Sequence, residues 1–276
     1  MRSDYEILCL VLLLLASAAL SGQEGSVRIE FDDLNPAVIQ HRLEMVRGKT
    51  SERREVLEDL FREAGCSEVT EQLVPDSKEP NVICAHDGGE PGVIVVGGHY
   101  DVEGHGMGAV DDWSGASLLP SLYESIEKKE RRHRFVFVGF SGEEAGLIGS
   151  GTYVKRLSKD ARALVRAMVN LECLGLTPPK VWTHRADKGL LDSYLRVANA
   201  LQIPPVGVNV ENVGDDDSHA FLNAKIPVIT IHSVTQETWP ILHSRRDQLQ
   251  AINPEHYYTA YRVVATYLTY LDSRLP

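Results

Sequence analysis

The chain has 276 residues and a formal net charge of −11, with 43% hydrophobic residues, 24% charged residues, 22 Gly and 13 Pro. This length and composition suit a globular protein with a sizeable core, and they exclude a disordered, collagenous or disulfide-knotted chain. The acidic balance argues against a nucleic-acid groove or an anionic membrane surface as the main partner.

Ile7 to Leu20 is an almost unbroken apolar run of 14 residues. A bilayer-spanning helix needs about 20, so the run suits the core of a signal peptide. Small residues at Ala16-Ser17-Ala18 and Ser21-Gly22 supply cleavage sites, although Arg2 is answered by Asp4 and Glu6. No Cys follows the run to carry a lipid. The expectation is a signal peptide over residues 1–22 and one domain over 23–276. The protein is then secreted or periplasmic, with no stable membrane span after cleavage and membrane attachment only if the segment is retained.

Asn35-Pro36 reads as a helix cap, and Val38, Ile39, Leu43 and Val46 follow at helical spacing. A second amphipathic helix is predicted over 51–64, with Val56, Leu57, Leu60, Phe61 and Ala64 on one face. Short apolar runs at Asn81–Ala85, Gly92–Val96, Phe135–Phe140, Leu164–Leu171 and Ile226–Ile231 predict buried strands. Helices are predicted between them at about 114–128, 146–158, 188–201 and 217–223. A last helix opens at Asn253-Pro254 with Tyr257, Tyr261, Val264, Leu268 and Leu271 as its inward stripe. The alternation predicts an α/β/α sandwich around a mostly parallel mixed sheet. No repeat or linker follows residue 25. Without Cys9, the remaining cysteines are Cys66, Cys84 and Cys173. Cys66 and Cys84 are the pair best placed to bridge, but three small buried thiols is the favoured reading.

Charged residues gather at the strand ends, where open α/β sheets bind ligands. Gly92–Val96 runs into Gly97-Gly98-His99-Tyr100-Asp101, and paired acids follow in Gly108-Ala109-Val110-Asp111-Asp112-Trp113-Ser114-Gly115. Phe135–Phe140 ends in Ser141-Gly142-Glu143-Glu144-Ala145-Gly146, and Met168-Val169-Asn170-Leu171 leads to Glu172. Carboxylates crowded into one poorly hydrated cleft repel unless cations neutralise them. Imidazole with carboxylate favours Zn²⁺ or a similar ion over Ca²⁺ or Mg²⁺. His-Glu-x-x-His, Gly-x-Ser-x-Gly and P-loop motifs are absent.

In this order, over roughly residues 80–270, these segments resemble the M28 family of di-zinc aminopeptidases. The resemblance implies a zinc-exopeptidase fold and two Zn²⁺ ions, although cobalt or manganese suits the same ligands. His99 and Glu172 would hold one zinc and Glu144 and a late His the other, with Asp111 bridging them. Glu143 would be the general base towards metal-bridging water, and Asp101 would fix the tautomer of His99. The substrates implied are peptides with a free N-terminus. The family usually has Asp where this chain has Glu172. His243, opening His243-Ser244-Arg245-Arg246-Asp247, is the favoured late His, with Asp247 as its support and His232 as rival. His184 and His105 read as loop residues and His256 as an exposed residue of the last helix. Asp217 falls near a family Ser-Asp-His-x-x-Phe segment. The family often has Tyr directly before its last ligand, where this chain has Leu242. The resemblance also implies a cis peptide after Asp111. Glutaminyl cyclase, a relative on the same scaffold, is the alternative. Trp239 resembles half of its Trp-His pair, though three residues separate it from His243. A non-catalytic binding ectodomain is the third reading, weakened by the complete set of candidate ligands.

Overall fold

The computed structural model describes residues 29–209 and 214–276, so the expected signal segment, residues 1–22, lies outside the described residues. Asn35 caps the first helix, α1 (Pro36–Glu44), by accepting from the Ala37 N–H, and Pro36 opens the first turn. Helix α2 (Thr50–Glu63) buries Arg53, Leu57, Leu60 and Phe61. Strands β1 (Val69–Gln72), β2 (Asn81–His86) and β3 (Val93–His99) follow. A tight turn, Ala109–Trp113, leads into the single turn α3 (Ser114–Ala116) and then α4 (Leu118–Glu127). Next come β4 (Arg134–Phe140), α5 (Ile148–Arg156), α6 (Lys159–Leu164) and β5 (Val165–Glu172). The chain continues through β6 (Lys180–Val181), α7 (Lys188–Ala200), α8 (Ser218–Asn223) and β7 (Val228–His232) to the long α9 (Pro254–Arg274).

The seven strands form one mixed sheet in the order β1-β2-β4-β3-β5-β7-β6. The four central strands, β4, β3, β5 and β7, run parallel, while β1, β2 and β6 are antiparallel to their neighbours. Parallel strands are covered on both faces, and two apolar clusters provide the cover. The larger packs α1, α2, α4, α7 and α9 on one face; the smaller packs α5 and α8 on the other. The parallel strands therefore deliver their carboxyl ends, His99, Phe140, Glu172 and His232, to one rim of the sheet. Close packing sets Gly115 there: a Cβ on it would lie 2.3 Å from Asp112 Oδ2 and 2.7 Å from the Leu171 carbonyl.

The predicted α/β/α architecture is the observed one, with differences at its margins. Edge strand β1 is half-exposed Val-Thr-Glu-Gln without a clean alternation, and β6 has only two residues. Neither is long or apolar enough to read as a strand. The strand expected from Leu164 starts at Val165, because Ser158 caps α6 by accepting from the Ala161 N–H and carries the helix through Leu164. The cysteine reading needs correction. Cys66, just beyond α2, and Cys84 in β2 form a disulfide with Cα atoms 6.3 Å apart, leaving only Cys173 as a free buried thiol among the described residues. Packing α2 against β2 brings the pair within bridging range, a proximity the sequence separation does not specify.

Candidate metal centre

Five predicted ligands converge on the rim. Asp111 sits between two imidazoles: its Oδ1 lies 3.1 Å from His99 Nε2 and its Oδ2 lies 3.0 Å from His243 Nε2. Glu172 Oε1 is 3.7 Å from His99 Nε2, and Glu144 Oε2 is 3.2 Å from His243 Nε2. Glu143 stands against the same imidazole, its Oε2 3.9 Å from His99 Nε2. Two sets of three can thus be drawn through one carboxylate, His99, Asp111 and Glu172 on one side and His243, Asp111 and Glu144 on the other. Glu144 also has a ligand atom within 4.8 Å of those of His99 and Asp111.

The surrounding hydrogen bonds hold this arrangement from behind. Asp101 Oδ1 lies 3.5 Å from His99 Nδ1, and its two oxygens accept from the backbone N–H groups of Glu143 (3.1 Å) and Glu144 (3.2 Å). One carboxylate thus ties the end of β3 to the loop after β4. Asp247 accepts from Val110 N–H (2.7 Å) and Asp111 N–H (3.2 Å), fixing the backbone of the shared acid. Asp112 is wholly buried and accepts from the backbone N–H groups of His99, Gly115 and Cys173. The Asp111–Asp112 peptide is cis, as the family likeness implied.

The electrostatics follow from crowding acids in a dry space. Burial pushes Glu143 up to about 10, with Glu172, Asp217 and Asp111 adding to it. Burial and Asp111 push Glu144 up to about 7. Burial also works against ionisation of Asp111, but His243 and His99 outweigh it and hold that carboxyl below its ordinary range. Hydrogen bonding to Asp111 is the largest contribution raising His243 to about 9. Burial opposes the imidazolium of His99, yet Glu143, Asp101, Asp111 and Glu172 lift it well above its usual value. The crowded acids thus make this a space that favours positive charge, which a bound cation would supply.

Divalent metal fits this donor set. Nitrogen and oxygen ligands of one tetrahedral zinc lie about 3.4 Å apart, given bonds of about 2.0–2.1 Å, and the imidazole–carboxylate separations here bracket that value. Buried Glu144 Oε1 and Glu172 Oε2 lack hydrogen-bond partners within the protein. Such orphaned acceptors are costly without a cation.

His243, not the rival His232, joins the cluster. His232 Nδ1 accepts from the Val234 N–H, so Nε2 carries the proton, pointing at the Val208 carbonyl 3.2 Å away. Burial lowers its pKa to about 4, and both nitrogens are engaged by backbone. His105 is exposed and His184 lies in a turn, as predicted, whereas His256 is half-buried rather than exposed because it packs in the first turn of α9. Asp217 is fully buried beneath the site, and burial with the nearby acids pushes it up to about 8.

A cavity of about 410 Å³ opens over the centre. Asp111, Glu143, Glu144, Glu172 and His243 line one side; Leu147, Trp182, Val234, Trp239 and Leu242 supply apolar walls, with Asp216 and Thr230 between. Leu242 lines the cavity, so no phenol stands beside His243 there. Trp182 Nε1 is buried without a partner, and the Arg185 guanidinium stacks 3.9 Å from the Trp182 ring. Sequence reasoning missed Trp182 because it follows Pro178-Pro179 with no motif around it. It also missed Arg53, whose buried guanidinium donates to the carbonyls of Arg47, Tyr100, Asp101, Met107 and Gly108. A signal existed: Arg53 lies one turn before Leu57 on the apolar face of α2.

Comparison with known proteins adds sequence relatives and fold neighbours. The chain is 29% identical over 151 residues to leupeptin-inactivating enzyme 1 of Streptomyces exfoliatus, covering 54% of this chain and 34% of that protein. It is 25% identical over 218 residues to a probable leucine aminopeptidase of Arthroderma otae, covering 72% and 58%. The chain thus spans less than two thirds of the length of either relative. Among solved structures, a zinc aminopeptidase from Bacillus subtilis superposes with a TM-score of 0.63 at 23% identity, over 69% of this chain and 49% of that one. A glutaminyl cyclase from an Acidobacteriales bacterium superposes with a TM-score of 0.72 at 16% identity, over 93% and 100%. Both share the fold. Residues 81–268 match Peptidase family M28, and that span contains every member of the two triads together with Glu143, so this chain belongs to Peptidase family M28.

Proposed function

We propose that this chain is a zinc-dependent aminopeptidase that removes N-terminal residues from peptides and holds two metal ions. The observation that carries the reading is Asp111, whose two oxygens face two separate imidazoles, each with its own glutamate, while Glu143 stands alongside. His99, Asp111 and Glu172 would hold one zinc, and His243, Asp111 and Glu144 the other. Zinc bound there would supply Lewis acidity to the scissile carbonyl and make water acidic enough to attack near neutral pH.

The protein's own groups do the rest. Glu143 takes a proton from the attacking water at its carboxylate and returns one to the leaving amine as the C–N bond breaks. Asp101 holds the His99 ring and the Glu143 backbone together, so base and ligand keep a fixed spacing. The acid-lined end of the cavity suits a free α-ammonium group, and the wall of Trp182, Val234, Trp239 and Leu242 suits an apolar first side chain. Leu242 offers no hydrogen-bond donor for the developing oxyanion, which leaves that charge to the cations. The Cys66–Cys84 disulfide supports export to an oxidising compartment.

Glutaminyl cyclisation is the second reading. Its support is Trp182, which lines the same cavity as the acids and whose indole N–H has no partner within the protein. In that reaction the α-amine attacks the carboxamide carbon and ammonia leaves, with Glu143 carrying the proton between them.

Purified protein is incubated with peptides beginning in Leu or in Gln, with and without chelator, and products are read by mass spectrometry. Loss of whole N-terminal residues, abolished by chelator and restored by zinc, is the expected result. Loss of ammonia from the Gln peptides alone would make the chain a cyclase and overturn the aminopeptidase reading.

A further inference from the structure

We propose that Cys173 is a sixth donor of the metal centre, a sulfur ligand on the side held by His99 and Glu172. The inference rests on the metal-centre reading above and adds soft-ligand chemistry to a set otherwise made of imidazole and carboxylate.

Cys173 directly follows Glu172 where β5 ends, and its Sγ donates to Glu172 Oε1 across 3.2 Å. Sγ, a carboxylate oxygen of Asp111 and one of Glu172 all lie within 4.8 Å of one another. On one tetrahedral zinc, a sulfur at about 2.3 Å and an oxygen at about 2.1 Å sit about 3.6 Å apart. The observed spacing therefore lets both residues reach one ion with side-chain adjustment alone. A second observation points to a cation on this side: Glu172 Oε2 is buried and has no hydrogen-bond partner.

The backbone keeps the sulfur in place. Cys173 occupies the left-handed region with φ 50°. Its N–H donates to Asp112 Oδ1 at 2.9 Å, and its carbonyl accepts from both the N–H and the hydroxyl of Ser233. Pinned on both sides, the residue presents Sγ to the cavity wall beside Asp111 and Glu172. Coordination releases the thiol proton to solvent and needs no oxidant. A thiolate in this position shifts preference from hard Mn²⁺ towards thiophilic Zn²⁺ and Cd²⁺.

The test is the absorption spectrum of the full chain, stripped with chelator and reloaded with Co²⁺. The visible d–d bands report cobalt on the imidazole and carboxylate ligands whether or not sulfur binds. A near-ultraviolet sulfur-to-cobalt charge-transfer band is expected in the wild type and is lost in both Cys173→Ala and Cys173→Ser. In the same variants Cd²⁺ affinity falls by about tenfold or more, the scale of losing one supporting group at a metal site, while Mn²⁺ affinity holds. Visible bands without the charge-transfer band in the wild type would overturn the sulfur ligand and leave the metal centre standing. A charge-transfer band that survives in Cys173→Ala would also overturn it. Failure of the wild type to bind Co²⁺ at all would remove the metal centre, and the sulfur ligand with it. The wild-type spectrum decides even where a variant does not fold.

Discussion

Replacing Arg53 with Met should dismantle the metal centre from a residue that touches none of its ligands' side chains. Arg53 is fully buried and donates to five carbonyl oxygens, four of them, at Tyr100, Asp101, Met107 and Gly108, on the segment that joins His99 to Asp111. Burial lowers its pKa to about 10, partly offset by Asp247, Asp101, Asp112 and Asp111, so it is charged at neutral pH. Hydrogen bonds from a charged donor contribute roughly 1.5–3 kcal/mol each. The bonds to Tyr100 and Asp101, at 3.3 and 3.4 Å, count for little, which leaves three strong ones. Met regains part of that by removing a buried charge, so the net loss is about 3–5 kcal/mol, the range for breaking a buried polar partnership. For a chain of this size the melting temperature should fall by roughly 10 °C. Zinc affinity measured by calorimetric titration should fall together with it, because Asp101 and Asp111 sit at the two ends of the released segment. Lys at this position should not rescue, since one ammonium cannot fork across several carbonyls. Wild-type melting and wild-type zinc affinity in Arg53→Met would refute the reasoning.

Three further outcomes follow from the same geometry. Glu143→Ala should keep its fold and bound zinc but lose about 10²–10⁴ in kcat; near-wild-type turnover with metal retained would remove Glu143 from the reaction. Joint replacement of Cys66 and Cys84 by Ala should destabilise the protein by about 3 kcal/mol, from the loop entropy of closing 18 residues, and denaturant titration under oxidising conditions reads the difference. His232 makes stability depend on pH. Its folded pKa of about 4 lies below the unfolded 6.5, so the unfolded state binds the proton first as pH falls. The contribution is intact above 6.5, erodes below it and is gone below about 4, a loss of roughly 3 kcal/mol. Unfolding at pH 7 and pH 4.5 should show a smaller pH dependence in His232→Gln than in the wild type.

The convergence of the candidate ligands was legible where chemistry and strand ends coincide. His99, Asp111, Glu143, Glu144 and Glu172 each follow a buried apolar strand or sit in a glycine-rich turn, and a charged group at the end of a parallel strand has few purely structural uses. His243 could be separated from His232 because only the former stands in the His-Ser-x-x-Asp pattern, and the Asp247 bonds to Val110 and Asp111 give that pattern its physical sense. What stayed hidden depends on tertiary distance. The Cys66–Cys84 bond requires knowing that the end of α2 packs on β2. Arg53 was masked by the apolar residues around it, since periodicity marks a face as buried without saying what a charge on that face would meet. Edge strand β1 carries too weak an alternation to separate from a loop.

The ligands also set a condition on how the chain matures. His99 and His243, which share Asp111, lie on either side of most of the sheet in chain order. The set of His243, Asp111 and Glu144 would not close until the strands that precede residue 243 have paired and Asp247 has docked on the Asp111 backbone. A nascent chain that stops before residue 243 carries the acids without their second imidazole, and their mutual repulsion works against the very packing that would gather them. Loading of the proposed second metal position would then be a late event that reports completed topology. A protein of this design would be born as a reluctant folder, with the ion acting as the clasp that makes its last long-range closure hard to reverse.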